Sequence, residues 1–345
     1  MIEKIKIENL TVFESLEIDT SAPVNVFIGE NGTGKTQILK FIYMIFRVKE
    51  TTHLYLGDHA VGGKLVFENF FTSHLENLTQ MLYKKDKKSA HFRVTFNQKS
   101  NEYNIAKSEY VGGTLRDAIQ YSDTFYEEIT DNIIFIPAKD ILTHSKGLPE
   151  ISKKYKIDFD RTYIDIIEKS RMPELRELPI IAKNILPTLE NIMNGKVEIT
   201  NDKFYIKKRN GDRVSFEYEA EGIKKIGLLW QLLMNGTITE DTILLWDEFE
   251  SNLNPKLTSD VADMLLELSR NGVQIFLSTH NYFLAKYFDV LEKDKKEVIF
   301  HSLYREDDNR DSPVICETSD TFSMLARNDI INEKIKLFEI EMEWE

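Results

Sequence analysis

Cysteine is nearly absent from this chain of 345 residues: Cys316 is the single one. It cannot form an intrachain disulfide, which fits the cytoplasm as the expected location. Long apolar runs are missing as well. None approaches the length needed to span a bilayer, so no membrane association is expected. The N-terminus alternates Ile2, Ile5 and Ile7 with charges and reads as a strand, not a signal peptide. Positive charge is in deficit. Forty-four Lys and Arg face 57 Asp and Glu, for a net charge of −13, which disfavours a protein that coats nucleic acid over its whole surface but leaves room for a local basic groove. No internal repeat or low-complexity linker interrupts the chain. What remains is an ordinary globular composition, 42% hydrophobic, long enough for a sizeable core and two or three domains.

One stretch organises the rest. Gly29-Glu30-Asn31-Gly32-Thr33-Gly34-Lys35-Thr36 matches the phosphate-loop pattern G-x-x-x-x-G-K-[ST] at every fixed position. Val24 to Ile28 before it is a short apolar run suited to a buried strand, and Gln37 to Arg47 after it repeats apolar residues at helical spacing. Strand, glycine loop and helix is the geometry that phosphate binding needs, because loop N–H groups and the helix N-terminus converge on phosphate oxygens. Lys35 is expected to reach the β- and γ-phosphates and the Thr36 hydroxyl to ligate Mg²⁺.

Along the chain, Lys4 to Asn9 and Leu16 to Asp19 read as strands, followed after the loop helix by Lys64 to Asn69, His91 to Asn97 and Glu102 to Lys107, a small antiparallel sheet. Thr114 to Ile129 reads as a helix and Asn132 to Ile136 as a central strand stopped by Pro137. Ala138 to Asp160 is expected to be a long loop, and Tyr163 to Asn194 a helical lobe broken by Pro173, Pro179 and Pro187. Val197 to Tyr218 predicts two or three strands with Asn210-Gly211 as a hairpin turn, and Gly222 to Met234 an amphipathic helix. Strand Thr242–Trp246, helix Pro255–Arg270 and strand Gln274–Leu277 alternate as in a parallel α/β sheet.

Ile243 to Trp246 is an apolar strand ending in Asp247-Glu248, the pair of carboxylates that a phosphate-loop enzyme needs beside its first strand. Asp247 is expected to hold the Mg²⁺ shell and Glu248 to polarise the attacking water. Ser278-Thr279-His280 ends the next strand, so His280 falls at the sheet edge where α/β proteins bind ligands and can hydrogen-bond a γ-phosphate. Asn254-Pro255 suits a helix start.

Together these pieces resemble the ABC-type ATPase superfamily, in the branch of SMC-like, RecF-like and OLD-like ATPases, and most closely the AAA-15/AAA-21-type ATPases, many of them subunits of anti-phage defence systems. On that resemblance Asp247-Glu248 is the Walker B pair, Ser251 to Pro255 the D-loop, His280 the switch histidine, and Ala220-Glu221-Gly222 stands at the signature motif. The implied fold class is α/β: an ABC-ATPase head with a mixed central sheet, an antiparallel β subdomain and an inserted helical lobe. Its implied parts are 1–136 with the phosphate loop, 137–221 with the Q-loop-like region and helical lobe, and 222–345 with signature helix, Walker B, D-loop and switch histidine. The family further implies that two heads sandwich ATP and Mg²⁺. Gly222, Ser251 and Asn254 would then lie at the dimer interface, and Phe13 in the first sheet would lie near adenine, although packing in the core is the reading that comes first for it. Three departures stand out: Ala220 and Glu221 replace the signature serine and first glycine, Phe249 replaces a proline, and Lys139 and Asp140 stand where a Q-loop glutamine is expected.

Lysine clusters at 84–88, 153–156, 207–209 and 224–225 read as solvated faces before they read as DNA contacts. Trp230 and Trp246 read as core, and Asp307-Asp308 as a hydrated loop. The expected function is a homodimeric or larger ATPase that regulates or loads a separate effector, with any nuclease activity in the partner because no second α/β pattern follows His280. A transporter nucleotide-binding subunit and a slow or non-hydrolysing scaffold are the alternatives.

Overall fold

A computed structural model describes residues 1–52, 89–111, 114–123, 132–155, 157, 159–294, 296–307 and 309–343. Its centre is a six-stranded sheet in the order β14-β13-β3-β12-β11-β7. The strands are β3 (Val24–Gly29), β7 (Ile133–Ile136), β11 (Ile243–Trp246), β12 (Gln274–Thr279), β13 (Val298–Tyr304) and β14 (Ile315–Ser319). All pair in parallel except β14, which makes the sheet mixed. Alternation along each strand feeds two cores. Val24, Val26, Ile134, Leu244 and Leu277 pack in one; Phe27, Phe135, Leu245 and Phe276 pack in the other. Burial on both faces is why these strands read as continuous apolar runs.

The second core is closed by α1 (Lys35–Thr52) and by an antiparallel five-stranded sheet, β2-β1-β4-β5-β6. Its strands are β1 (Ile2–Leu10), β2 (Phe13–Asp19), β4 (Ser89–Phe96), β5 (Lys99–Val111) and β6 (Thr114–Asp123). The first core is closed by α3 (Arg161–Ser170), α4 (Ile180–Met193), α5 (Glu221–Met234) and α6 (Thr258–Arg270), with α2 (Leu148–Tyr155) and α7 (Tyr282–Leu291) at its margins. A small antiparallel sheet, β8 (Gly195–Thr200), β9 (Lys203–Lys208) and β10 (Arg213–Ser215), packs on α4 and α5. Gly211 takes the positive φ of 94° that the hairpin between its second and third strands requires.

Several expectations are corrected. Thr114 to Ile129 is not helical where it is described: 114–123 is a strand, with Thr114 opposite Val111 and Tyr121 opposite Tyr103. Leu115, Ile119 and Tyr121 fit a period of two as well as a helix, and pairing with β5 decides between them. Ile133–Ile136 lies at the sheet edge, not its centre; it is buried because α1 and α3 both pack on it. Residues 138–160 contain a short 3₁₀ turn at Leu142–His144 and helix α2 in place of a long loop. Pro187 sits inside α4 without ending it. The strand expected at Lys64–Asn69 and the lysines at 84–88 lie outside the described residues, as do Lys156 and Asp308. No described helix is long and apolar enough to cross a membrane.

Candidate nucleotide site

The register of the central sheet assembles the site. Ile28 lies opposite Thr279 and Leu277 opposite Trp246, so Gly29, His280 and Asp247 leave three neighbouring parallel strands on one edge. Leu303 pairs with Gly29 and so brings Arg305 to the same edge. Its Nη2 donates to the Gly32 carbonyl at 3.1 Å and its Nε to the Ser312 carbonyl at 3.1 Å.

Lys35, the first residue of α1, is only 5% exposed, and its Nζ donates to the carbonyls of Gly29 and Glu30 at 2.8 Å each. Burial depresses its pKa to about 8, against the opposing pull of Glu248, Asp247 and Glu250. The Thr36 hydroxyl lies 2.9 Å from both Asp247 carboxylate oxygens, and the Ser278 hydroxyl donates to Asp247 Oδ1 at 2.5 Å. Burial raises the Asp247 pKa while these two hydroxyls restrain it. Thr33 Oγ1 closes the loop on the Glu30 carbonyl at 2.8 Å. Glu30, Asn31 and Gly32 form the exposed tip of the loop.

Glu248 has a φ of +42°, a left-handed conformation that a non-glycine residue holds only when its surroundings enforce it. Two contacts do so. Its N–H donates to Ser278 Oγ at 2.8 Å, and its carbonyl accepts from Lys225 Nζ at 3.0 Å. His280 Nε2 lies 3.5 Å from Glu248 Oε1. Burial, and then the charge of Lys35, lower the imidazole pKa. Both effects disfavour the charged ring beside Glu248.

Glu250 was missed by the sequence reading. One of its oxygens accepts from Thr279 Oγ1 at 2.5 Å and from the His280 N–H at 3.0 Å. The other, Oε2, is buried without a hydrogen-bond partner. Burial raises its pKa. Its place between Glu248 and the D-loop was the available signal, but nothing local says that it reaches back to the next strand. Ser278 and Lys225 were missed for the same reason.

The signature side is built differently. Glu221 accepts from Lys224 Nζ at 2.7 Å, and Lys224 also lies 3.8 Å from Asp140. Glu221 is thus paired with a cation of its own chain. Lys224 and Lys225 are 6% and 5% exposed, so the expected solvated face is corrected: the loop after β7 and the D-loop cover them. A Cβ on Gly222 would stand 3.1 Å from the Asn252 carbonyl oxygen and the Leu253 Cα. A side chain there would press on the D-loop of the same chain, which would have to give by a few tenths of an ångström. Ser251 is half-buried, its N–H donating to the Glu248 carbonyl at 3.0 Å. Exposed Asn254 caps a 3₁₀ turn, accepting from the Lys256 N–H at 3.0 Å. A cavity of about 230 Å³ opens between Asp140, His144, Glu221, Lys224, Ser251 and Asn252.

Phe13 takes the core role read for it ahead of the adenine contact. It is fully buried, and its ring fills the space beneath Gly34 so closely that a Cβ there would fall 2.5 Å from Phe13 Cζ. With no exposed face it supports the loop instead of stacking on a base.

Thr36 and Asp247 offer oxygen donors only, which suits Mg²⁺. Among the described residues no cluster of three or more His, Cys, Asp and Glu side chains could hold a metal. Mg²⁺ ordinarily keeps one or two protein ligands beside waters and nucleotide phosphates, which a pair such as Thr36 and Asp247 would fit.

Comparisons with known proteins place the chain in a family. The family model described as "AAA domain, putative AbiEii toxin, Type IV TA system" matches residues 24–286. The DNA replication and repair protein RecF of Lysinibacillus sphaericus is 42% identical over 48 residues, 14% of this chain and 13% of that protein, so the match spans only a small part of the relative. RecF of Clostridioides difficile is 21% identical over 295 residues, 80% of this chain and 72% of that one. In fold, the chain is similar to an Smc head domain with an extended coiled coil bound to the C-terminal domain of ScpA derived from Pyrococcus furiosus, with a TM-score of 0.54 at 13% identity over 99% of both chains.

Proposed function

Because the chain belongs to this AAA-domain family and is an ABC-type P-loop ATPase of the SMC and RecF branch, we propose that it binds Mg²⁺–ATP at the cluster just described, hydrolyses it, and acts through a dimer of heads on a separate effector in DNA metabolism or phage defence. The observation that carries this reading is the Thr36–Asp247 contact, 2.9 Å to both carboxylate oxygens, made by residues far apart in the chain. In it the phosphate-loop N–H groups and Lys35 hold the phosphates. Mg²⁺, when bound to Thr36 and the Asp247 shell, supplies charge neutralisation of the phosphate oxygens. Glu248 orients and deprotonates the attacking water, and His280 hydrogen-bonds at the γ-phosphate edge. The parts 1–136, 137–221 and 222–345 divide the work between phosphate loop, connecting lobe, and signature helix with carboxylates.

Turnover is slow in this reading, since the signature serine is absent. DNA contact is not assigned to the 207–209 cluster, because Lys207 pairs with Glu198 and Lys208 with Glu219. The test is binding and turnover of ATP by the purified chain beside Glu248→Gln. Wild type should bind and slowly hydrolyse ATP, and the variant should bind it without turnover and form nucleotide-dependent dimers visible by light scattering. A wild type that neither binds nor hydrolyses ATP would end the reading.

A further inference from the structure

Strands end beside the phosphate loop on both sides of β3, and the proposed function uses one side only. Asp247, Glu248 and His280 follow β11 and β12. On the other side runs β13, whose backbone abuts the loop so closely that a Cβ on Gly29 would stand 2.2 Å from the Leu303 carbonyl oxygen. Leu303 pairs with Gly29, β13 ends at Tyr304, and Arg305 comes next, level with the loop tip.

Arg305 is half-buried and held in one place. Its Nε donates to the Ser312 carbonyl and its Nη2 to the Gly32 carbonyl, at 3.1 Å each. The chain just past Ser312 is fastened in turn, since the Val314 N–H donates to the Val12 carbonyl at 3.0 Å. Val12 itself bears on the loop, with Cγ2 2.9 Å from where a Cβ on Gly34 would stand. Both acceptors of the guanidinium are neutral carbonyls. Among the described residues no carboxylate pairs with it, and its Nη1 makes no hydrogen bond. A cation fixed at the rim of a phosphate loop, with donors left over and no counter-charge, is fitted to a phosphate oxygen.

The strand order says which phosphate. A nucleoside triphosphate is a chain with the γ-phosphate at one end and the nucleoside at the other. In the ATP-site reading the γ-phosphate and the metal stand by His280 and Asp247, over β12 and β11. The opposite end of the chain is then directed away from β12, to the side of β13. We propose that Arg305 is a nucleotide-binding residue whose guanidinium pairs with the α-phosphate on that side of the loop. The inference rests on the ATP-site reading and adds to it a residue that holds the end of the nucleotide remote from the chemistry. The α-phosphate keeps its charge throughout hydrolysis, so Arg305 contributes to affinity equally before and during the reaction and leaves the chemical step alone.

The experiment is calorimetric titration of ATP and ADP into the full chain, with steady-state turnover, for wild type, Arg305→Gln and Arg305→Lys. Arg305→Gln should weaken ATP and ADP by the same factor, about ten- to thirtyfold, with the thermal midpoint of the nucleotide-free chain unchanged. KM should rise by a similar factor while kcat stays within about twofold. Arg305→Lys keeps the charge and should recover part of the lost affinity. Equal losses in the two variants would make Arg305 a brace for the loop and overturn the proposal. A loss much larger for ATP than for ADP places the guanidinium at the γ-phosphate and overturns it too. A wild type that binds neither nucleotide ends the ATP-site reading and this inference with it. A wild type that binds both, beside an Arg305→Gln variant of equal affinity, ends this inference alone.

Discussion

The phosphate-loop side and the signature side of this molecule share one sheet edge yet satisfy their charges in opposite ways. On the first, Lys35 rests on loop carbonyls and Asp247 on two hydroxyls. These partners are neutral, and in the proposed reading phosphate oxygens and a metal ion would replace them. On the second, Lys224 is paired with Glu221 and lies near Asp140, and Gly222 is packed on the D-loop. The difference teaches where tolerance to change lies. A buried charge on neutral dipoles remains available to a ligand, whereas a charge already paired with its opposite must first give up that partner. Lys225 ties the two sides together, rising from the signature helix to the carbonyls of Glu248 and Phe249 at 3.0 and 3.2 Å.

The contrast can be broken by substitution, and the largest effect is expected at Lys35. Lys35→Ala should weaken ATP binding by about 10²–10³-fold, measured with a fluorescent nucleotide, because no other described cation rests inside the loop. An unchanged affinity would remove Lys35 from the site. A pH titration sharpens the same point. With its pKa lowered to about 8 in the folded chain, Lys35 loses its proton well before the unfolded chain does. ATP affinity should therefore fall as pH rises through about 8. The unfolded state holds more protons than the folded one from there to the ordinary lysine range, so this group makes stability rise with pH over that window. Opposite slopes of affinity and stability, read by titration and by denaturant melts, are the expected pair, and Lys35→Met should flatten both.

Glu250 comes next. Glu250→Ala removes the acceptor for Thr279 and the His280 N–H, and turnover should fall about tenfold with little change in ATP affinity, since His280 loses its placement beside Glu248. Glu250→Gln keeps an acceptor oxygen and should retain most of the rate. Equal losses in the two variants would argue against positioning. The smallest effect on turnover belongs to the signature side. Lys224→Met should leave hydrolysis within about twofold while costing about 1–3 kcal/mol of stability, read by denaturant unfolding, because Glu221 and Asp140 lose their shared partner. A large loss of turnover with unchanged stability would make Lys224 part of the chemistry and erase the distinction between the two sides.

Much of the site was legible before any fold was known. Gly29 to Thr36 is a contiguous motif between a strand and a helix, and all of its geometry is local. What was not legible shares a different character. Thr114–Asp123 carries a pattern that suits helix and strand alike, and only its partner β5 settles it. Phe13 lies in the expected sheet, but whether its ring meets a ligand or a glycine depends on packing from the other side. Lys224 and Lys225 look like surface charges in sequence and are covered by a loop and a turn that approach from elsewhere in the chain.

The amino-acid sequence by itself determined the phosphate loop, the apolar strands that carry the site residues and the acidic pair at the end of β11, because each depends on neighbours within a few positions. Tertiary structure alone decided that Thr36 meets Asp247, that Glu250 reaches the His280 backbone, and that Lys225 holds Glu248 in its strained conformation. The reason is register: parallel pairing of β3, β12 and β11 sets three distant strand ends side by side, and no local propensity specifies which strands become neighbours.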